Sequence, residues 1–112
     1  MLFRSQYVKE QTPEICLAAV KQDPWALEYV RNQTPEICLA AVEQEGYALQ
    51  YVIDQTEEIC LAAIRQDPNA LMYAEYQTDA ICLEAVKHSP FAIQYVKKHR
   101  EKICELAMKQ DS

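Results

Sequence analysis

The sequence predicts an all-α solenoid of 22-residue, two-helix repeats, with about ten short helices in total. Ten residues, QTPEICLAAV, occupy positions 11–20 and return unchanged at positions 33–42. Cysteine recurs every 22 residues, at Cys16, Cys38, Cys60, Cys82 and Cys104. A fixed interval of this length is typical of a solenoid, in which one supersecondary unit is stacked on its copies. The single glycine and the abundance of alanine, leucine, glutamate and glutamine favour helix in every unit.

The first helix of each repeat is predicted from its start signals. Threonine at the N-cap can accept a hydrogen bond from a free backbone amide. This residue recurs as Thr12, Thr34, Thr56 and Thr78. Pro13 and Pro35 follow at the first helical position, where a missing N–H costs nothing. We therefore expect first helices over 13–22, 35–44, 57–66 and 79–88.

The second helix of each repeat restarts after a capping residue and a proline. The pairs are Asp23-Pro24, Asp67-Pro68 and Ser89-Pro90, and Glu45-Gly46 is the weak copy. We expect second helices over 24–32, 46–54, 68–76 and 90–99. The whole chain, 1–112, is then expected to form one domain. It consists of a half-unit 1–11, the repeats 12–33, 34–55, 56–77 and 78–99, and a half-unit 100–112.

The apolar pattern predicts which side of each helix is buried. Projection at about 100° per residue places one set of first-helix side chains toward the core, namely Ile15, Cys16, Ala19 and Val20. In the second helix Ala26, Tyr29 and Val30 are expected inside, with Trp25 and Leu27 at the flanks. The cysteine column, Cys104 included, is therefore interpreted as small buried residues at helix contacts and not as a redox or metal site.

The residues near both ends of the chain and its apolar composition indicate what broad class of protein this is. Polar Arg4, Ser5 and Glu105 stand where inner repeats have apolar residues, so we expect polar caps on a whole protein. No apolar run is long enough for a membrane span, and residues 1–10 lack the apolar core of a signal peptide. We expect a cytoplasmic protein with reduced cysteines and no membrane association.

The segment LAAVKQDPWALEYV, Leu17–Val30, resembles the core motif of a bacterial and giant-virus helical-repeat family known only as a domain of unknown function. The similarity extends through its copies over nearly the whole chain. It implies a helical repeat and transfers no activity.

Catalytic and metal chemistry find little support in the sequence. There is no Gly-rich phosphate loop and no acidic pair in an evident cleft. His88 and His99 fall at the ends of antiparallel helices and so at opposite edges of the solenoid, where each is expected to interact with the carboxyl end of its helix. We therefore expect that the protein is not an enzyme and that it binds no cofactor and no metal ion.

Function is sought in the positions that vary between repeats. One such column is Phe3, Trp25, Tyr47, Asn69 and Phe91. Its aromatic members either cover the core or form a partner-binding stripe, since aromatic residues dominate binding hot spots. Ile53, Met72 and Tyr76 add apolar side chains that we expect to face solvent.

Charge is segregated along the chain. Residues 34–84 hold ten acidic groups against one base, Arg65, whereas residues 85–102 hold five bases and one acid. We expect Glu43, Glu45 and Asp54 to flank the aromatic stripe. The acidic middle argues against direct nucleic-acid binding and suits a partner with a basic surface.

The sequence thus favours a protein-interaction module that binds its partner through the aromatic stripe and its apolar and acidic neighbours, namely Phe3, Trp25, Tyr47, Phe91, Met72, Tyr76, Glu43, Glu45 and Asp54. Two alternatives stay open. The chain could be an acidic inhibitor that mimics nucleic acid on a basic target. It could also be a self-assembling structural protein in which the acidic middle meets the basic segment 85–102, so a monomer or a weak homo-oligomer is expected.

Overall fold

A computed structural model describes residues 11–75 and 77–111, the side chains of residues 110 and 111 excepted. Helices make up the regular structure of these residues and no strand occurs among them. The molecule is elongated, with extents of 51 × 19 × 19 Å. The predicted all-α solenoid is confirmed. Phe3, Arg4, Ser5 and Tyr76 lie outside the described residues.

The first helices of the repeats form as predicted. They are α1 (Pro13–Gln22), α2 (Pro35–Gln44), α3 (Glu57–Gln66) and α4 (Asp79–His88), and α5 (Arg100–Asp111) follows the last repeat. The threonine before each of α1 to α4 caps it, because its hydroxyl accepts from a backbone N–H three residues later at 3.2 Å. This bond satisfies one amide that has no partner inside the helix.

The second helices are shorter than predicted and are 3₁₀ helices of six residues. They are η1 (Pro24–Tyr29), η2 (Gly46–Tyr51), η3 (Pro68–Tyr73) and η4 (Pro90–Tyr95). Asp23 and Asp67 cap η1 and η3, whereas Glu45 and Ser89 make no side-chain cap bond. Each helix ends at a residue with an extended backbone, such as Val30.

The shorter helix changes which side chains are buried. A 3₁₀ helix has three residues per turn, so Leu27 and Val30 lie one above the other on the core side. Leu27 is fully buried, so the expectation that it lies at the flank was wrong, whereas Tyr29 is partly buried and packs against the core. The projection failed because it assumed 3.6 residues per turn.

Glutamine side chains fasten each repeat to the next. Gln33 donates its amide to the carbonyl of Tyr51 at 2.8 Å, and its side-chain oxygen accepts from the backbone N–H of Ile53 at 2.9 Å. The same pair of bonds is made by Gln11, Gln55 and Gln77, each to the residues 18 and 20 positions later. This glutamine ladder holds the backbone that leaves each 3₁₀ helix.

A second set of contacts joins the repeats at the opposite edge. Gln44 donates to the carbonyl of Val20 at 2.9 Å, and Gln66 accepts from the backbone N–H of Gly46 at 2.6 Å. A Cβ added to Gly46 would lie 2.5 Å from the carbonyl oxygen of Ala63, so only glycine fits this approach.

The core is one continuous cluster in which the α-helices and 3₁₀ helices alternate. Four cysteines of the column are buried in it, but Cys104 is exposed, so the expectation that it shares their burial was wrong. Ile103 and Ala107 are the residues that α5 buries, and Cys104 lies on its exposed side. All five cysteines are free thiols, and the Sγ atoms of Cys38, Cys60 and Cys82 lie 3.4–3.5 Å from the side-chain oxygen of a ladder glutamine.

Candidate partner-binding face

The candidate face is built from the second and fifth residues of the 3₁₀ helices. Because these helices have three residues per turn, the two positions lie one above the other, on the side away from the buried alanine and leucine. We call this surface the outer face. Its residues are Trp25, Glu28, Tyr47, Gln50, Asn69, Met72, Phe91 and Gln94.

Trp25 is held in place and is also accessible. Its ring stands edge-on against Tyr51 of the following repeat, with ring centroids 6.1 Å apart and planes at 84°. The side chain remains 40% exposed. The geometry is the edge-to-face arrangement that aromatic pairs prefer. Trp25 thus contributes to packing between repeats and presents an oriented apolar surface to solvent.

Tyr47 repeats this arrangement one step further along. Its ring lies 5.8 Å from Tyr73 at an interplanar angle of 74°, and the side chain is partly buried. Partial desolvation, together with the carboxylate of Asp67, raises the pKa of the Tyr47 phenol, while a side-chain interaction with Asn69 acts in the opposite direction. Tyr47 is therefore a neutral, fixed element of the outer face.

Met72 and Phe91 complete the apolar part of the outer face among the described residues. Met72 is 44% exposed, as expected, and Phe91 is 79% exposed. Phe3 and Tyr76, the remaining members of the predicted stripe, lie outside the described residues.

Of the three predicted acidic neighbours, Glu43 and Glu45 lie before η2 and Asp54 lies after it. Glu43 is exposed in the last turn of α2, and Glu45 immediately precedes η2, where Tyr47 is the second residue. Asp54 lies beyond the other end of η2, and its charge acts on the pKa of Cys38 in the first half of α2. Asp54 follows Tyr51, on which Trp25 packs, by three residues, and its place beside the stripe stays a prediction.

The edge that carries the glutamine ladder has a charge network that the sequence reasoning missed. Asp79 accepts from Lys102 Nζ at 2.8 Å and lies 3.6 Å from His99 Nδ1. The hydrogen bond with Lys102 is the main reason that the pKa of Asp79 is lowered. His99 has a positive φ of 63° and precedes α5, so it does not end a second helix as expected. The signal available in the sequence was the 23-residue separation of Asp79 and Lys102, which places them in adjacent repeats.

A smaller network lies at the end of α4. Glu84 accepts from His88 at 2.9 Å, one turn away on α4, and pairs with Arg65 of the preceding repeat at 3.5 Å. The bond with His88 is the main cause of the lowered pKa of Glu84. His88 therefore interacts with a side chain of its own helix, in addition to its place in the last turn.

The ladder edge contains shallow clefts between successive loops. One has a volume of about 330 Å³ and is lined by Glu75, Gln77, Thr78, Asp79, Cys82 and Lys97 to His99. An equivalent cleft of about 280 Å³ lies between Arg31 to Thr34 and Ile53–Asp54. Both clefts are open surfaces formed by the repeat itself.

The thiols at this edge are poor nucleophiles. Burial raises the pKa of Cys38, Cys60 and Cys82 to about 11, and nearby carboxylates add to the effect. A thiol with so high a pKa is almost entirely protonated at neutral pH. In residues 11–75 and 77–111, histidine, cysteine, aspartate and glutamate form no group of three that could hold a metal ion. No helix in this part of the chain is both long enough and apolar enough to cross a bilayer.

The middle of the chain matches a known family model. Residues 34–77 match the family model of a domain of unknown function, DUF4116. No curated protein and no solved structure is significantly similar to the chain. The matched range covers the predicted repeats 34–55 and 56–77, so these two central repeats are similar to a family described only as a domain of unknown function.

Proposed function

We propose that this protein is an interaction module that binds a protein partner through its outer face. The observation that carries the proposal is the position of Trp25, which is fixed by Tyr51 and yet 40% exposed. A rigid, half-exposed tryptophan loses little conformational entropy on binding and offers a large contact area, which is why tryptophan is frequent at binding hot spots.

The apolar surface continues along the outer face. Met72 and Phe91 expose large side chains there, and Tyr47 lies between Trp25 and Met72 in the order of the repeats. Monomeric proteins rarely expose large contiguous apolar patches unless these bind something. The 3₁₀ helices thus supply a row of anchors at intervals of one repeat.

The acidic neighbours of this row point to a partner with a basic surface. Glu28 lies on the outer face, and Glu43 and Glu45 lie on the edge where η2 begins. Exposed charges of one sign speed the encounter with an oppositely charged partner, while desolvated anchors slow its dissociation. We assign steering to Glu43 and Glu45 and anchoring to Trp25.

A comparative capture experiment tests the proposal. Crosslinked pulldowns from the native cell would use the parent chain, Trp25→Ala and Ile53→Ala as baits. Ile53 is 64% exposed on the ladder edge, so its variant removes apolar surface away from the outer face. We expect a partner that the parent and Ile53→Ala retain and that Trp25→Ala loses. Equal recovery by all three baits would contradict the proposal.

The acidic-inhibitor function is the second candidate, and one feature favours it. Glu14, Glu36 and Glu58 are exposed carboxylates at the same position of three successive repeats, so they form a regular column. Such a column could occupy a basic groove that normally holds phosphates. This function predicts that reversing Glu36 and Glu58 abolishes binding to the captured partner and that Trp25→Ala leaves it intact.

A further inference from the structure

The ladder edge carries four equivalent segments, each running from the end of a 3₁₀ helix through the first turn of the next α-helix. They are residues 31–36, 53–58, 75–80 and 97–102. Their common position is fixed by the ladder, since Ile53, Glu75 and Lys97 each donate a backbone N–H to a glutamine of the preceding repeat at 2.9–3.0 Å.

These four segments differ sharply in charge. Segment 31–36 is neutral, with Arg31 and Glu36, and segment 53–58 carries minus three, from Asp54, Glu57 and Glu58. Segment 75–80 carries minus two, from Glu75 and Asp79. Segment 97–102 carries plus three with His99 neutral, from Lys97, Lys98, Arg100 and Lys102 against Glu101. Acidic and basic segments thus share one edge of the molecule.

Most of these charges remain available to a partner. Asp54, Glu58, Glu75, Lys97 and Lys98 are exposed, and none of them forms an ion pair with another described residue. Asp79, by contrast, is already paired with Lys102. This ion pair offsets one negative charge of segment 75–80 and one positive charge of segment 97–102, so segment 53–58 keeps minus three and segment 97–102 keeps plus two toward a partner.

From this pattern we propose that the ladder edge binds a second copy of the same chain in an antiparallel, two-fold symmetric pair. The two-fold axis passes through segment 75–80. Because the repeats are regular, segments 53–58 and 97–102 lie one repeat to either side of it, so each acidic segment faces the partner's basic segment. In a two-fold interface every contact occurs twice, so two attractive contacts outweigh the single contact between the weakly acidic segments at the axis.

Ile53 adds an apolar contact to this interface. It is 64% exposed and lies at the start of the acidic segment. Most of the attraction is between exposed charges, so the dimer is weak and dissociates as salt shortens the Debye length from about 30 Å at 0.01 M to about 3 Å at 1 M. A parallel side-by-side pair is disfavoured, since it would place each segment against one of the same charge.

Charge reversal with complementation tests the dimer. The basic-reversed variant is Lys97→Glu with Lys98→Glu, and the acid-reversed variant is Asp54→Lys with Glu58→Lys. The control is Lys21→Glu with Lys87→Glu. It makes the same change in net charge as the basic-reversed variant, but in the last turns of α1 and α4, at the other edge. Weight-average mass would be measured by sedimentation equilibrium at about 0.01 M and about 1 M salt, with circular dichroism to confirm folding.

We expect the parent and the control to approach twice the monomer mass at low salt and the monomer mass at high salt. Each reversed variant alone stays monomeric, and an equimolar mixture of the two regains mass at low salt. A parent that is monomeric at both salt concentrations, a control that dissociates like the basic-reversed variant, or a mixture that stays monomeric would overturn the proposal. The outer face is not part of this dimer, so Trp25→Ala keeps the parent's behaviour whatever the fate of the partner-binding proposal.

Discussion

Gln55 joins two repeats by bonding to the backbone on both sides of Ala74. Its side-chain amide donates to the carbonyl of Tyr73, and its side-chain oxygen accepts from the backbone N–H of Glu75, each at 2.9 Å. Only a side-chain amide supplies a donor and an acceptor at this spacing. The backbone that leaves each 3₁₀ helix has no sheet or longer helix to join, so its polar groups need these partners.

Gln55→Glu is therefore expected to destabilise the protein by about 1–3 kcal/mol, because the carboxylate cannot donate to the Tyr73 carbonyl. Gln50→Glu is the matched control, since exposed Gln50 donates to Tyr47 within its own helix and not to a neighbouring repeat in the described part of the chain. Urea unfolding monitored by circular dichroism gives both free energies. Equal losses in the two variants would contradict the role assigned to the ladder.

Gly46→Ala is expected to cost about 1–3 kcal/mol, the range for overpacking a filled site. The added Cβ would meet the Ala63 carbonyl at 2.5 Å and disturb the bond between the Gly46 N–H and Gln66. The measurement is the same urea titration, with Glu45→Ala as the neighbouring control, since Glu45 makes no side-chain cap bond. A Gly46→Ala variant as stable as the parent would show that the backbone at Gly46 and Ala63 can move apart without a cost in free energy.

The cysteines are expected to be structural, so a variant with all five changed to alanine should keep its helix content and its partner binding but lose stability. Each of the four buried positions should contribute about 1 kcal/mol, whereas Cys104→Ala should have little effect because that side chain is exposed. A thiol reagent should label one cysteine rapidly in the folded protein and the other four only on unfolding. Rapid labelling of several thiols would contradict the observed burial.

The buried thiols also predict a loss of stability in alkali. The pKa of Cys60 is raised from an ordinary value of 9.0 to about 11 in the folded protein. Above pH 9 the unfolded chain releases this proton while the folded chain retains it, so ionisation favours the unfolded state and stability falls between pH 9 and 11. The free-energy difference between the parent and Cys60→Ala should therefore shrink over this range. A constant difference would show that the thiol titrates normally.

Much of the fold could be predicted from the sequence because its signals are local and recur. Thr12 and Pro13 mark a helix start with no knowledge of the rest of the chain, and the interval between cysteines gives the unit. Gln11 and Gln33, the first residues of the two decapeptide copies, make the same pair of bonds to the following repeat, so an identical sequence gives an identical contact.

The features of the fold that the sequence did not predict depend on contacts between repeats. The second helix ends early because the ladder glutamine of the preceding repeat captures the backbone two residues after Tyr29, as Gln11 does at Arg31. With three residues per turn, Leu27 is fully buried, which a projection at 3.6 residues per turn does not predict. Cys104 was misjudged because it keeps the 22-residue spacing of the four buried cysteines and is nevertheless exposed, so the spacing alone does not determine burial.

The most direct test of the central claim is the binding kinetics of the captured partner on Trp25→Ala and on a Glu43→Lys, Glu45→Lys double variant, measured by surface plasmon resonance at low and high salt. We expect Trp25→Ala to speed dissociation and to cost about 2 kcal/mol or more at both salt concentrations. The double variant should slow association at low salt only, and Phe91→Ala should cost less than Trp25→Ala. Normal binding by Trp25→Ala, with binding abolished by the charge reversals, would contradict the claim and favour the acidic inhibitor.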